Sequence, residues 1–135
     1  MEAHSLVQYY FLKRSLVTQD ADIRLNSKYR RALIEGTITF TTLKDKFFKR
    51  MESEGKLICV YCQEPLKIYQ IEERARYSKD KYQVPKDMAT IEHLVPVADG
   101  GLKYVESNWA CACSKCNNKR DRLPVFKVTE TKYIF

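Results

Sequence analysis

Apolar residues recur at three- and four-residue steps along the first third of the chain, which is the spacing of one helix face. The pattern predicts three helices, at residues 5–16, 25–35 and 43–54. Gly36 and Gly55 follow the second and third of these segments, at positions where glycine commonly ends a helix. We therefore expect residues 1–56 to form a helical N-terminal extension.

The remaining segments show shorter patterns. Residues 17–23 are polar and predict a turn, while residues 37–42 are rich in β-branched side chains and predict either a short strand or the entry to the third helix. Residues 57–62 predict a strand that runs into a tight turn, and residues 66–87 predict a strand followed by an exposed polar excursion. Residues 124–135 alternate between apolar and polar side chains and predict a closing strand.

Four of the five cysteines form two Cys-x-x-Cys pairs, Cys59 with Cys62 and Cys113 with Cys116. This spacing lets both sulfurs of a tight turn reach one ion, so the pairs predict a closed four-thiolate site of the kind that zinc prefers. A closed site leaves no position for water, so we expect a structural zinc; ordinary buried thiols are the alternative. Cys111 could replace Cys113 as a ligand, but a buried free thiol suits its place in a predicted strand better.

Charge and hydropathy narrow the class of protein. Lysine and arginine outnumber the acidic residues 24 to 17 in 135 residues, and the net charge of +7 favours polyanionic partners. No apolar run approaches the roughly 18–20 residues of a membrane span, and the first residues are unlike a secretory signal. With metal-spaced cysteines, these features predict a reducing intracellular location, cytoplasmic or nucleoid-associated.

Residues that could take part in catalysis or metal binding follow one another in a distinct order. Glu92-His93-Leu-Val-Pro96 comes first, then Gly100-Gly101, then Asn108, and Asn117 directly follows the last paired cysteine. This order resembles the HNH endonucleases, whose zinc-bearing members show Cys-x-x-Cys, Asp-His-x-x-Pro, a Gly-Gly loop, Asn, and Cys-x-x-Cys followed by Asn or His. The resemblance covers residues 57–123, roughly half of the chain, and leaves residues 1–56 and 124–135 outside.

The resemblance implies an α+β fold with a ββα-metal core, a four-cysteine zinc site and the helical N-terminal extension. In that fold residues 88–94 would be the first strand and residues 108–112 the second, with the loop of residues 95–107 between them. Residues 114–122 would be the helix. The alternation and helical spacing of these segments agree with this assignment.

The resemblance also implies site residues. His93 would be the general base that activates water against a DNA phosphodiester, and Glu92 and Asn117 would hold a catalytic Mg²⁺ or Mn²⁺. Asn118 is the rival to Asn117, and Asn108 would support the site by tying the loop to the fold. Family members more often carry Asp where this chain has Glu92. Adjacent strand residues point to opposite faces, so Glu92 and His93 reach one ion only where the strand ends or bends.

The expected partner is DNA, most simply double-stranded. Four basic residues on or beside the last helix would hold its phosphates: Lys115, Lys119, Arg120 and Arg122. Because one active site cuts one strand per encounter, a homodimer is compatible with the single-domain size. The alternative is a non-catalytic, zinc-ribbon-like nucleic-acid-binding module, with a zinc-stabilised protein-interaction domain as a further option. A pure binding module has no use for Glu92, His93 and Asn117, so the nuclease is preferred.

Overall fold

The computed structural model describes residues 3–15, 19–77 and 84–120. Three helices come first, followed by a short helix, two strands and a last helix. In chain order they are α1 (Ala3–Ser15), α2 (Gln19–Glu35), α3 (Phe40–Ser53), α4 (Ile71–Tyr77), β1 (Ala89–His93), β2 (Trp109–Cys113) and α5 (Ser114–Arg120). None of the described helices is long and apolar enough to span a membrane. The predicted strand at residues 124–135 lies outside the described residues.

The two strands and the last helix form the predicted ββα unit. β1 pairs with β2 in antiparallel register, with Ala89 opposite Cys113 and His93 opposite Trp109. α5 follows β2 without a loop and contacts both strands. This two-stranded sheet with surrounding helices confirms the predicted α+β fold class.

The loop between the strands depends on its two adjacent glycines. Gly100 has a φ of 93°, in the left-handed region that favours glycine. At Gly101 a Cβ would collide with the carbonyl oxygen of Val95 and would lie 2.9 Å from the amide nitrogen of Asn108. The Gly-Gly sequence therefore lets the loop fold tightly against the end of β1.

The N-terminal helices and the ββα unit share one hydrophobic core. Leu6 and Tyr10 of α1 and Phe47 of α3 are buried in the same cluster as the residues of β2. The ring centroids of Phe47 and Trp109 are 5.5 Å apart in an edge-on contact. The first fifty residues thus supply much of the apolar surface that covers β2.

One prediction about the N-terminal segment needs correction, and one that left two alternatives open is now decided. Residues 19–23 are helical and do not form the predicted turn, since α2 begins at Gln19. Asp20 and Asp22 lie in its first turn, where a negative charge stabilises the positive end of the helix dipole. Residues 37–42 form a helix entry and not a strand: the Thr39 hydroxyl caps α3 by accepting a hydrogen bond from the backbone N–H of Thr42.

The strands predicted at residues 57–62 and at the start of residues 66–87 are reduced to isolated bridges. Ile58 pairs with Pro65, and the chain turns back through the first cysteine pair before a longer ladder can form. Beyond the second bridge, at Lys67, the chain enters α4 instead of a strand. Acidic residues in the first turn of α4 and basic residues in its last turn both complement the helix dipole.

Candidate active site and metal centre

The two Cys-x-x-Cys pairs converge on one point beside the ββα unit. The sulfur atoms of Cys59, Cys62, Cys113 and Cys116 all lie within 4.8 Å of one another. The Cys62 and Cys113 sulfurs are 4.0 Å apart, and the backbone N–H of Cys116 donates to the Cys113 sulfur at 3.3 Å. Four sulfurs around a tetrahedral zinc, at about 2.3 Å from the ion, would be roughly 3.8 Å apart. The four cysteines are therefore positioned to bind a metal ion.

Thiolates in this cluster are unfavourable without a cation. Burial and the neighbouring thiols raise the pKa of the Cys116 thiol, since a thiolate there would meet low dielectric and further negative charge. A divalent metal reverses this balance by stabilising the thiolates it binds.

Cys111 lies outside the metal cluster. Its side chain is fully buried in β2, and its backbone N–H donates to the hydroxyl of Tyr10 at 3.0 Å. The structure thus places Cys111 in the core between β2 and α1, as expected for a buried thiol that is not a metal ligand.

His93 ends β1, and its ring is held by the loop that follows. Nε2 lies 3.1 Å from the carbonyl oxygen of Lys103. Because a carbonyl oxygen only accepts, Nε2 must donate, and this tautomer leaves Nδ1 as the acceptor. Burial lowers the pKa of His93, the hydrogen bond to Lys103 opposes that shift, and the Lys103 charge adds to it. The loop therefore orients the His93 ring, and burial disfavours its charged form.

The carbonyl that orients His93 is itself fixed. The indole N–H of Trp109 donates to the same oxygen at 2.9 Å. The next residue, Tyr104, donates its backbone N–H to the side-chain oxygen of Asn26 in α2 at 2.8 Å. The sequence motifs give no signal for this arrangement, because the key atom is a backbone oxygen and Asn26 lies outside the motif.

Asn108 ties the loop to β1. Its side chain accepts from the backbone N–H of Val95 at 2.9 Å, and its amide group donates to the carbonyls of Val95 and Leu102 at 3.0 and 2.9 Å. Asn108 is buried, and these bonds are all directed at the loop. Asn108 therefore holds the loop that follows His93 in place through its backbone groups.

Glu92 and Asn117 lie on neighbouring parts of the ββα unit. Glu92 is 4% exposed, and its carboxylate accepts from the backbone N–H of His93 at 3.1 Å. Asn117 of α5 donates to the Thr90 hydroxyl at 3.1 Å and to the Ile91 carbonyl at 3.0 Å. Since Thr90 and Glu92 share a strand face, α5 packs over the face that carries Glu92. Asn118 also lies on α5, but its side chain is outside the described residues.

β1 ends at His93. The strand end is the place where the adjacent side chains of Glu92 and His93 can turn toward one site. The Glu92 carboxylate and the side-chain amide of Asn117, on the helix bound to the same strand, offer oxygen donors, which are the ligands that Mg²⁺ and Mn²⁺ prefer. The donor set therefore fits a hard divalent cation.

Of the four basic residues predicted to contact nucleic acid, one has a described side chain. Lys115 is exposed on α5 and borders a cavity of about 650 Å³ that also reaches three of the clustered cysteines. Lys119 and Arg120 lie on α5, and Arg122 is outside the described residues.

The described residues thus form an α+β fold with four cysteines positioned to bind a metal ion and a histidine at the end of the first strand of the ββα unit. The family model for HNH endonucleases matches residues 59–122, just short of half the chain. This match confirms the resemblance inferred from the motifs. The comparisons with curated proteins and with solved structures gave no match.

Proposed function

We infer that this protein is a metal-dependent HNH endonuclease that hydrolyses phosphodiester bonds of double-stranded DNA. The observation that carries the proposal is the state of His93 inside the matched segment. Its Nε2 is committed to the Lys103 carbonyl, so Nδ1 is the nitrogen that can accept a proton from water.

In this mechanism His93 takes a proton at Nδ1 from the attacking water, and the hydrogen bond at Nε2 stabilises the imidazolium that forms. Burial favours the neutral ring before the reaction, because it lowers the pKa of His93. Glu92 and Asn117 would hold Mg²⁺ or Mn²⁺ through their oxygen atoms. When bound, that ion supplies Lewis-acid stabilisation of charge on the phosphate and on the leaving oxygen.

The four cysteines would hold zinc with a different task. A site closed by four sulfurs has no open position for water or substrate. Zinc would join the turn at residues 59–62 to the junction of β2 and α5, and so fix the helix that carries Asn117.

The decisive experiment is conversion of supercoiled plasmid by the zinc-loaded protein with added Mg²⁺ or Mn²⁺. Omission of the divalent ion is the control, since a chelator would also remove zinc. We expect nicked DNA from the wild type and a loss of about two to four orders of magnitude in rate for His93→Ala. The zinc content of the variant should equal that of the wild type.

Other outcomes separate the alternatives. If His93→Ala cuts as well as the wild type, His93 is not the base. If neither protein cuts yet both bind DNA with strong salt dependence, the protein is a zinc-stabilised nucleic-acid-binding module. Linear product formed together with nicked product would indicate paired cuts, as expected of a homodimer.

A further inference from the structure

Two lysines outside the predicted DNA-contacting set converge on one aromatic ring near His93. The ammonium groups of Lys44 in α3 and Lys103 in the loop lie 5.2 and 6.0 Å from the ring centroid of Phe40. The Phe40 ring packs edge-on against Tyr104 and Trp109, with centroid distances of 5.6 and 5.8 Å. The Lys103 ammonium also lies 5.5 Å from the ring centroid of Tyr104. These contacts favour positions of both ammonium groups near the rings, because a cation over an aromatic face is attracted to it.

This lysine pair borders the candidate active site. The Lys103 carbonyl accepts the hydrogen bond from His93, and the Lys103 charge contributes to the lowered pKa of that histidine. Trp109, which contacts Phe40, is the residue opposite His93 in the sheet register. The two ammonium groups thus lie at the His93 end of the hairpin.

The charge of the pair is not neutralised by an ion pair among the described residues. The nearest acidic neighbour along α3 is Asp45, and its two carboxylate oxygens accept from Arg74 at 2.9 and 3.1 Å. Burial and the Arg74 charge lower the pKa of Lys44, and Asp45 opposes this shift. A half-buried ammonium in this position gains free energy when an anion approaches.

We propose that Lys44 and Lys103 form a binding site for a backbone phosphate of the DNA strand that lies against His93. The proposal rests on the proposed endonuclease function and extends its substrate contacts to α3, outside the matched segment. A phosphate there would pair with two ammonium groups that lie near one ring, and would set the register of the strand in the site.

The test measures binding of a short DNA duplex by fluorescence anisotropy over a range of KCl concentrations. Zinc-loaded protein without added divalent ion is used, so that the duplex stays intact. Lys44→Gln and Lys103→Gln should each weaken binding roughly three- to tenfold and lower the slope of log K against log salt by about one. Lys103→Gln leaves the backbone bond to His93 in place.

Lys46→Gln is the matched control, since Lys46 is an exposed lysine on the same helix. Lys44→Arg retains the charge and should restore the slope, which separates loss of charge from loss of fold. The proposal is overturned if Lys44→Gln and Lys103→Gln bind like Lys46→Gln. Binding is measured without cleavage, so a protein that binds through these lysines but never cuts would overturn the endonuclease and leave the phosphate site standing.

Discussion

At the scale of single residues, the protonation state of His93 decides whether it can act as a base. The sequence shows a histidine in a motif, and the structure adds the two influences that set its state. Burial lowers the pKa of His93, and the bond from Nε2 to the Lys103 carbonyl selects the tautomer. Neither could be predicted from spacing, because both depend on the path of the loop that returns to the end of β1.

We predict that His93 titrates below 6.5, the ordinary value for histidine. The chain has two histidines, so NMR titration of the zinc-loaded protein can assign each signal with a His4→Gln variant. As pH falls through the lowered pKa, the base becomes protonated, and the acid limb of cleavage should therefore lie below pH 6.5.

The same shift affects stability. The unfolded chain takes up this proton at higher pH, so the His93 contribution to stability rises with pH between the folded and the unfolded pKa and is absent below both. A titration midpoint above 6.5 would contradict the burial argument.

At the scale of elements, two side chains of α2 hydrogen-bond to the loop that orients His93. The carboxylate of Asp22 accepts from the Ser107 hydroxyl at 2.7 Å, and Asn26, one helical turn further on, accepts from Tyr104. Asp22 is 9% exposed, so the bond to Ser107 compensates for the burial of its charge. The helix outside the family match therefore supports a loop inside it.

We predict that Asp22 and Ser107 are energetically coupled. Asp22→Ala leaves a buried hydroxyl without its acceptor and should lower the free energy of unfolding by about 1–3 kcal/mol. Combining it with Ser107→Ala should cost less than the sum of the two single changes, by about 1 kcal/mol. Urea denaturation measures each variant. Asp20→Ala, an exposed acid in the same first turn, is the control and should cost about 0.3–1 kcal/mol through the helix dipole alone. Strictly additive single-variant effects would show that the contact contributes nothing specific.

The sequence predicted elements well where local pattern and local structure coincide. β1, β2 and α5 follow from alternation and from the motif order, and α1 and α3 from apolar spacing. The apolar spacing predicts a start for α2 that is too late, because Gln19 and Asp20 are polar and exposed and the buried residue of the first turn is Asp22, whose hydrogen-bond donor lies 85 positions away. Lys44 and Lys103 likewise meet only through Phe40, a contact that tertiary packing alone creates.

At the scale of the whole molecule, the metal centre and the hydrophobic core form one structure. Cys59 and Cys113 belong to the same buried cluster as Leu6 and Phe47. The chain is small for a core that must also cover a two-stranded sheet, so the free energy of zinc binding should be a large part of its stability. Loss of zinc should therefore unfold the N-terminal helices as well as the cysteine turns.

We predict that Cys62→Ser loses zinc and unfolds the whole chain in one transition. Cys62 is exposed, so its replacement removes little packing apart from the metal bond. Cys111→Ala is the control: it removes a buried sulfur outside the metal cluster, and should keep zinc while losing about 1 kcal/mol of packing.

Trp109 is the single tryptophan and is buried against Phe47 of α3, so its emission reports on the contact between the helices and β2. Tryptophan emission and helical circular dichroism should change together as zinc is withdrawn from the wild type. If the helical signal survives after the emission has shifted, the N-terminal helices are stable without the metal centre, and the shared core is not one cooperative unit.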